Sequence, residues 1–129
     1  MRVIIAGGRD FDDYDLLSHK CIEIMVTCHI NGLTTGSIDD IEIVSGRARG
    51  ADSLGEKYAK EMGYKTKYFP ADWDLFGKRA GYVRNEQMAK YSKEDNGVLI
   101  AFWDGKSKGT KHMIDLANKH GLKVFVIKF

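Results

Sequence analysis

The chain has 129 residues, 43% of them hydrophobic, which is enough for one compact domain with an ordinary core and too few for two full domains. Twenty Lys and Arg residues against eighteen Asp and Glu residues leave a formal net charge of +2, so the chain lacks the strong overall basicity of a general nucleic-acid-binding protein. The apolar run near the N-terminus, "VIIA", is shorter than a signal peptide or a membrane span requires. We therefore expect a cytoplasmic protein, folded as a single domain over residues 1–129, with no membrane among its partners.

The first third of the chain predicts a strand, a helix and a loop. Residues 3–6 form the predicted strand, and the helix after it carries an apolar stripe at spacing i, i+4, i+7, i+11, made of Leu17, Cys21, Ile24 and Cys28. Asp12 is predicted to cap this helix, because an acidic side chain at that position accepts hydrogen bonds from the free N–H groups of the first turn. The polar residues 31–40 are the one long predicted loop.

The two cysteines belong to the stripe of the first helix. Cys21 and Cys28 are seven residues apart. On a helix this spacing separates their Cα atoms by about 10 Å, too far for a disulfide. The four histidines are scattered without ligand spacing, so neither a metal site nor a cofactor is predicted.

The rest of the chain continues the alternation of strands and helices. A strand over residues 41–44 leads to a second helix, whose apolar stripe is Ala51, Leu54, Tyr58 and Met62. A third strand is predicted over residues 66–69, a third helix from about residue 78 to 91, a fourth strand over 98–102, a fourth helix from about 110 to 120, and a fifth strand over 124–127.

Five strands and four helices in alternation predict an α/β fold. We expect a Rossmann-like three-layer sandwich, in which a five-stranded parallel sheet has helices on both faces. The first and fourth strands are continuously apolar, as central strands are, whereas Glu42 and Lys67 interrupt the second and third. This pattern predicts the strand order 3-2-1-4-5.

Ligands of such sheets bind beyond the carboxyl ends of the strands where the order reverses, here between the first and fourth strands. The loops at that end read "GGRDF" (7–11), "SGRARGAD" (45–52), "PADWDLFGKRAGYVRN" (70–85) and "WDGKSKGT" (103–110). Three of them combine Gly with Arg or Lys before a helix. Glycine lets a ligand approach the backbone, a helix N-terminus attracts anions, and a guanidinium binds phosphate with two parallel hydrogen bonds. Phosphate binding is the favoured interpretation; the alternative is tight turns with ordinary surface charges.

Several side chains in these loops have two interpretations. The second loop predicts an anion-binding turn made of Ser45, Gly46, Arg47 and Gly50, with Arg49 pointing to solvent or pairing with Asp52. Asp52 either stabilises the start of its helix or contacts a ribose hydroxyl or acts in catalysis. The aromatic side chains of Phe11, Trp73 and Phe76 either stack on a base or cover the core.

Several well-known motifs are absent. "GKS" at residues 105–107 lacks the P-loop glycine, because Ile100 stands at that position, and "AGGRDF" lacks the G-x-G-x-x-G of dinucleotide dehydrogenases. Neither G-x-S-x-G nor H-E-x-x-H occurs, so no serine hydrolase or zinc protease is predicted.

The loop motifs taken together resemble a known family. They are similar to those of the YspA/YpsA-related branch of the SLOG superfamily, Rossmann-like proteins often found in bacteria and phages. The motifs are "GGRDF", "SGRARGAD", "FPADW", "AGYVRNEQM" and "GT", and they cover nearly the whole chain. The resemblance implies binding of a nucleotide, a nucleotide-derived ligand or nucleic acid. It also implies self-association as a homodimer or larger homo-oligomer, which the apolar C-terminal run "VFVIKF" favours as an otherwise exposed edge strand.

A more distant resemblance, to the Lonely Guy phosphoribohydrolases, implies an enzyme that cleaves the N-glycosidic bond of a nucleoside monophosphate. Arg84 and Asn85 resemble the Arg-Lys pair of that family, and residues 109–110 resemble part of its Gly-Gly-x-Gly-Thr-x-x-Glu turn. The glutamate of that turn is replaced by Met113, and Asp115 lies about 200° further round the helix, where it cannot substitute. Asp52 and Arg84 are the remaining candidate catalytic residues.

A second distant resemblance links residues 45–52 to the Ser-Gly-x-Ala-x-Gly-x-Asp turn of DNA-processing protein A, and implies a single-stranded-DNA-binding module. The leading expectation is a small nucleotide-like ligand at the ends of strands 1, 2 and 4, with Arg9 and Arg47 holding phosphate. The predicted ligand-binding residues are Gly7, Gly8, Arg9, Asp10, Phe11, Ser45, Gly46, Arg47, Gly50, Ala51, Asp52, Trp73, Arg84, Asn85, Gly105, Gly109 and Thr110.

Overall fold

Five parallel strands form one sheet in a computed structural model that describes residues 1–129. The strands are β1 (Arg2–Gly7), β2 (Glu42–Ser45), β3 (Lys65–Tyr68), β4 (Val98–Trp103) and β5 (Lys123–Lys128). Their order is β3-β2-β1-β4-β5, and all four neighbouring pairs are parallel. The predicted α/β fold class and the predicted strand order are both confirmed.

Burial along the strands follows their place in the sheet. In the central pair β1 and β4, Val3 pairs with Val98 and Gly7 with Phe102, and the first five residues of β4 are fully buried. The edge strand β3 is exposed at three of its four residues, and β5 begins and ends with an exposed lysine.

The helices cover both faces of the sheet, as the sequence predicts. They are α1 (Tyr14–Ile30), α2 (Ala51–Met62), α3 (Trp73–Phe76), α4 (Ala80–Lys93) and α5 (Lys108–Lys119). On one face, α1 and α2 pack on alternate strand residues such as Val3 and Ile5. On the other face, α4 and α5 pack on the intervening residues such as Ile4 and Ala6. Both cysteines are free and buried in the core under α1.

The cap of α1 and an additional short helix differ from the predictions. The prediction that Asp12 caps α1 is wrong: α1 begins at Tyr14, one residue later than that cap requires, and the Asp13 carboxylate accepts the Leu16 N–H at 3.0 Å. A single-turn helix, α3, was not predicted, because one turn is too short to show an apolar period.

The third predicted helix also begins later than predicted, at Ala80. A 3₁₀ turn over Gly77–Arg79 separates it from α3. A second 3₁₀ turn, Ile38–Asp40, lies inside the predicted polar loop, where the Asp40 carboxylate accepts the Thr34 hydroxyl at 2.6 Å. None of the helices combines the length and apolar character that crossing a membrane requires.

Candidate functional site

A cavity of about 460 Å³ opens at the carboxyl ends of β1 and β4, between the starts of α2, α4 and α5. This is where the strand order reverses and where a ligand of a parallel sheet is expected. The structure brings most of the predicted ligand-binding residues to this cavity, namely Gly7, Gly8, Arg9, Asp10, Phe11, Asp52, Trp73, Arg84, Asn85, Gly109 and Thr110. Six others do not line it: Ser45, Gly46, Arg47, Gly50, Ala51 and Gly105.

The loop after β1 and the start of α2 touch through their backbones. The Gly8 carbonyl accepts the N–H of Ala51 at 3.2 Å. Any Cβ at Gly7 would clash with the carbonyl oxygen of Phe102 and lie 2.9 Å from the Cβ of Ala51. Gly50, with φ of 79°, faces the carbonyl oxygen of Gly8 in the same way. Gly7, Gly50 and Ala51 thus form a close junction that fixes where the cavity begins.

Two arginines, Arg9 and Arg84, line the cavity, and their charges interact. Arg84, on α4, is partly buried; its guanidinium donates to the Gly46 carbonyl and, at 3.1 Å, to the Asn85 side-chain oxygen. Burial lowers the pKa of Arg84, Asp52 opposes that shift, and the positive charge of Arg9 adds to it. Arg9 is exposed and takes part in none of the ion pairs of the structure. The cavity mouth therefore holds two neighbouring positive charges, of which Arg9 has no acidic partner.

Asp52 lies beneath Arg84 and is 5% exposed. Its carboxylate accepts a long hydrogen bond from the Ala48 N–H at 3.4 Å and also interacts with the backbone of Gly46. Burial raises the pKa of Asp52 to about 6, although Arg84 acts in the opposite direction. A Cβ on Gly46 would lie 2.8 Å from this carboxylate and 2.9 Å from the Arg84 guanidinium, so any other residue there would displace one of these two side chains.

The opposite wall of the cavity is the start of α5. Ser107 caps the helix by accepting the Thr110 N–H at 3.3 Å, and the Asp104 carboxylate accepts the N–H groups of Lys106 and Ser107, both at 2.8 Å. These hydrogen bonds lower the pKa of Asp104, the bond from Ser107 most. Because the helix start is capped by the chain itself, fewer N–H groups remain there for an anion.

Asn85, which is buried, connects α4 to α5. Its amide nitrogen lies 3.4 Å from the Gly109 carbonyl and 3.2 Å from Nδ1 of His112. Burial lowers the pKa of His112, which agrees with a neutral ring whose Nδ1 accepts this hydrogen bond. The His112 ring packs edge-on against Tyr82, with ring centroids 4.5 Å apart, and Tyr82 also lines the cavity.

The inner end of the cavity is apolar. Ala6, Met88 and Met113 line it and are buried. Phe11 is only 3% exposed and packs on Phe102 and Phe129, so its ring covers the core and offers no free face for stacking on a base. Trp73, in contrast, stands at the rim and is 52% exposed.

The turn at residues 45–52 is held mostly by its own side chains. Ser45 donates to Glu56 at 2.6 Å and accepts the Arg47 N–H at 3.1 Å, so this N–H is not free for a ligand. Arg47 has a left-handed backbone with φ of 61°; its Nε lies 3.5 Å from Glu56 and its guanidinium lies over the ring of Tyr68. The Arg47 side chain, which was expected to hold phosphate, therefore does not line the cavity.

Arg47 instead lines a second depression, of about 490 Å³, which we call the arginine groove. Its lining residues are Arg9, Gly46, Arg47, Ala48, Arg49, Pro70, Ala71, Trp73 and Arg84. Arg49 points to solvent, which was one of its two predicted arrangements. Its guanidinium lies 3.6 Å from the Asp10 carboxylate and does not pair with Asp52. Gly105 lies outside both the cavity and the groove.

Several residues at the cavity were not predicted from the sequence, among them Tyr82, Met88, Asp104, Ser107 and Phe129. Tyr82 lies within the motif "AGYVRNEQM" but was not assigned a role, and no sequence signal marks Phe129, which the packing of the end of β5 against the β1 loop brings there.

Comparison with known proteins gives three matches. Residues 1–76 match the family model described as "YAcAr: YspA, cpYpsA-related SLOG family". The Gene 61 protein of Mycobacterium phage D29 is 36% identical over 87 residues, which are 64% of this chain and 67% of that protein. The X-ray structure of DNA processing protein A from Streptococcus pneumoniae superposes with a TM-score of 0.65 and 20% identity, over 99% of this chain and 50% of that one.

The structural match shows a shared fold, and the chain spans half the length of that solved structure. The family model covers more than half of the chain, including the loops after β1 and β2. The predicted resemblance is therefore confirmed, and the chain belongs to the YspA/cpYpsA-related SLOG family.

Proposed function

We propose that the protein binds a small nucleotide-derived ligand, with a phosphate between Arg9 and Arg84 and the nucleoside inside the cavity. The observation that carries this proposal is the pair of neighbouring guanidiniums at the cavity mouth, one of them partly buried and the other without an acidic partner. The positive charge of Arg9 adds to the cost of keeping the partly buried Arg84 charged. A phosphate between them relieves the repulsion and accepts charge-assisted hydrogen bonds from both.

The size and lining of the cavity suit a mononucleotide. Its volume of about 460 Å³ falls in the range of small-molecule sites, roughly 300–1,000 Å³. Met88 and Met113 provide an apolar surface for a base or a ribose face. The Asp52 carboxylate, whose hydrogen bond from the Ala48 N–H is long, can accept one from a ribose hydroxyl.

The charges around the cavity favour a small anion over a long polyanion. Its cationic lining residues are Arg9, Lys78 and Arg84, and its acidic ones are Asp10, Asp52 and Asp104. The formal charges of these six residues cancel, so the cavity as a whole does not attract an anion. An anion is attracted where Arg9 and Arg84 lie. A nucleoside monophosphate places its charge at one end and matches this arrangement.

Binding of single-stranded DNA is the second candidate. It is favoured by the arginine groove, which adjoins the cavity, and by the fold shared with DNA processing protein A. Catalysis on the nucleotide is a third, because Asp52 and Arg84 both line the cavity while the position of the Lonely Guy glutamate is the buried Met113.

The three candidates separate in one set of measurements. The melting temperature of the full chain is followed with the common nucleoside 5′-monophosphates, with the matching nucleosides, and with a single-stranded DNA of twelve nucleotides. Ligand binding predicts a rise with at least one monophosphate and no rise with its nucleoside. No rise with any monophosphate would refute the proposal.

The same mixtures are then analysed by mass spectrometry. A binding protein returns the monophosphate unchanged, whereas a phosphoribohydrolase releases free base. Tighter binding of the DNA strand than of every monophosphate, with affinity that falls steeply as salt rises, would instead establish the DNA-binding candidate.

A further inference from the structure

We propose that the arginine groove binds a second phosphate of the same ligand, so that the ligand carries a diphosphate or a phosphodiester rather than a lone monophosphate. This inference rests on the proposed function, because the first phosphate is assigned to Arg9 and Arg84. It extends that function by naming the chemical class of the ligand.

The groove and the cavity form one continuous surface. Arg9, Ala48, Trp73 and Arg84 line both. A phosphate held between Arg9 and Arg84 therefore lies at the boundary, with the nucleoside on the cavity side. Any group attached to the other side of that phosphate enters the groove.

The groove is more strongly positive than the cavity. Four guanidiniums line it, those of Arg9, Arg47, Arg49 and Arg84, and none of its lining residues is acidic. One phosphate between Arg9 and Arg84 leaves Arg47 and Arg49 without a phosphate partner. A second phosphate matches this surplus of positive charge, because guanidinium pairs phosphate through two parallel hydrogen bonds.

The acidic groups that face these two arginines leave most of their donors free. Only the Nε of Arg47 approaches Glu56, at 3.5 Å, and Arg49 approaches Asp10 at 3.6 Å, between side chains that are 75% and 97% exposed. The Arg49–Asp10 pair is exposed and contributes little, so water or an incoming phosphate replaces it at small cost.

Arg47 is also held in place before any ligand arrives. Its guanidinium lies 4.4 Å from the centroid of the Tyr68 ring, and its backbone is fixed in the left-handed region by the bond from its N–H to Ser45. A side chain already oriented loses less conformational freedom when it binds an anion.

Titration calorimetry with three probes tests the inference. The probes are the 5′-monophosphate that binds the wild type, the 5′-diphosphate of the same nucleoside, and the 5′-phosphorylated dinucleotide of the same base. The wild type is expected to bind at least one two-phosphate probe about tenfold more tightly than the monophosphate, the effect of one added charge-assisted contact. The probe that shows the gain distinguishes a diphosphate from a phosphodiester.

The variant Arg47→Gly/Arg49→Gln removes both guanidiniums. Glycine suits φ of 61°, so the fold is not put at risk at position 47. In this variant the affinities for the two-phosphate probe and for the monophosphate are expected to differ by no more than about threefold. The charge-matched control Lys93→Gln/Lys119→Gln changes exposed lysines in the last turns of α4 and α5, at the far end of these helices, and is expected to keep the wild-type ratio.

The possible failures are distinct. Equal wild-type affinities for one-phosphate and two-phosphate probes, or a gain that persists in Arg47→Gly/Arg49→Gln, would overturn the inference and leave the monophosphate site standing. Absence of monophosphate binding by the wild type would overturn the proposed function and this inference with it. The single variant Arg49→Gln changes an exposed residue and gives a second test. It is expected to lose part of the tighter binding of the two-phosphate probes.

Discussion

The carbonyl oxygen of Gly8 accepts the N–H of Ala51 at 3.2 Å, and this bond joins the loop after β1 to the first turn of α2. Gly50 lies directly against the same carbonyl, and its φ of 79° is one that L side chains rarely adopt. The two glycine-rich loops are therefore one packed unit at the edge of the cavity.

Gly50→Ala is expected to lower the free energy of unfolding by about 3 kcal/mol or more, since the new Cβ is strained at this φ and overlaps the Gly8 carbonyl. Denaturant unfolding measures it. Gly32→Ala is the control, because Gly32 has φ of 77° and nothing within 4 Å of its Cβ position, so it incurs only the backbone cost of about 1 kcal/mol. Equal losses in the two variants would show that the junction is not tightly packed.

Asp52 gives the stability a specific dependence on pH. Burial raises the pKa of Asp52 to about 6, so the folded state holds a proton that the unfolded chain releases near pH 4. This contribution to stability is complete below about pH 4 and is lost as the pH rises to about 6. Asp52→Asn is expected to lack this loss, so that its stability relative to the wild type rises by about 3 kcal/mol between pH 4 and pH 7. If the free energies of unfolding of Asp52→Asn and the wild type differ by the same amount at every pH, the raised pKa of Asp52 is refuted.

Trp73 is expected to report on the ligand. It lines both the cavity and the arginine groove and is half exposed, so a bound base can stack on it. We expect nucleotide binding to quench tryptophan fluorescence, and Trp73→Leu to abolish the quenching and weaken binding by about tenfold. Trp103→Phe, at a tryptophan that does not line the cavity, should keep the response. Quenching that disappears only in Trp103→Phe would show that the base does not reach Trp73.

Self-association stays a prediction, and β5 is the element that tests it. Val126 and Phe129 are exposed large apolar side chains at this edge of the sheet. We expect sedimentation velocity to find a dimer or larger assembly, and Val126→Lys to shift it toward monomer because an added charge opposes edge contact. A wild-type protein that is monomeric at every concentration would contradict this expectation.

The sheet could be predicted from the sequence because its signals are local. Continuous apolar runs marked β1 and β4 as central strands, and Glu42 and Lys67 placed β2 and β3 nearer an edge, in agreement with the observed strand order. The predicted helix boundaries were less accurate, because the start of a helix depends on which single residue caps it. In α1 the carboxylate of Asp13, and not that of Asp12, accepts the N–H of Leu16.

The site could be predicted only in part, because a loop sequence does not fix where its side chains point. Arg9 and Arg84 reach the cavity, as their loops indicated. Arg47 turns toward Tyr68 of β3 and Glu56 of α2, contacts that depend on neighbouring strands and helices. Tyr82 reaches the cavity for a similar reason, through the packing of α4 beside α5.

The most direct test of the proposed site is the affinity of Arg9→Gln for the nucleoside monophosphate that raises the melting temperature of the wild type. Arg9 is exposed and unpaired, so its loss leaves the fold intact. Calorimetry is predicted to show binding about tenfold to a hundredfold weaker than in the wild type, with Lys93→Gln unchanged. Equal affinities of Arg9→Gln and the wild type would contradict the assignment of the phosphate to the two arginines.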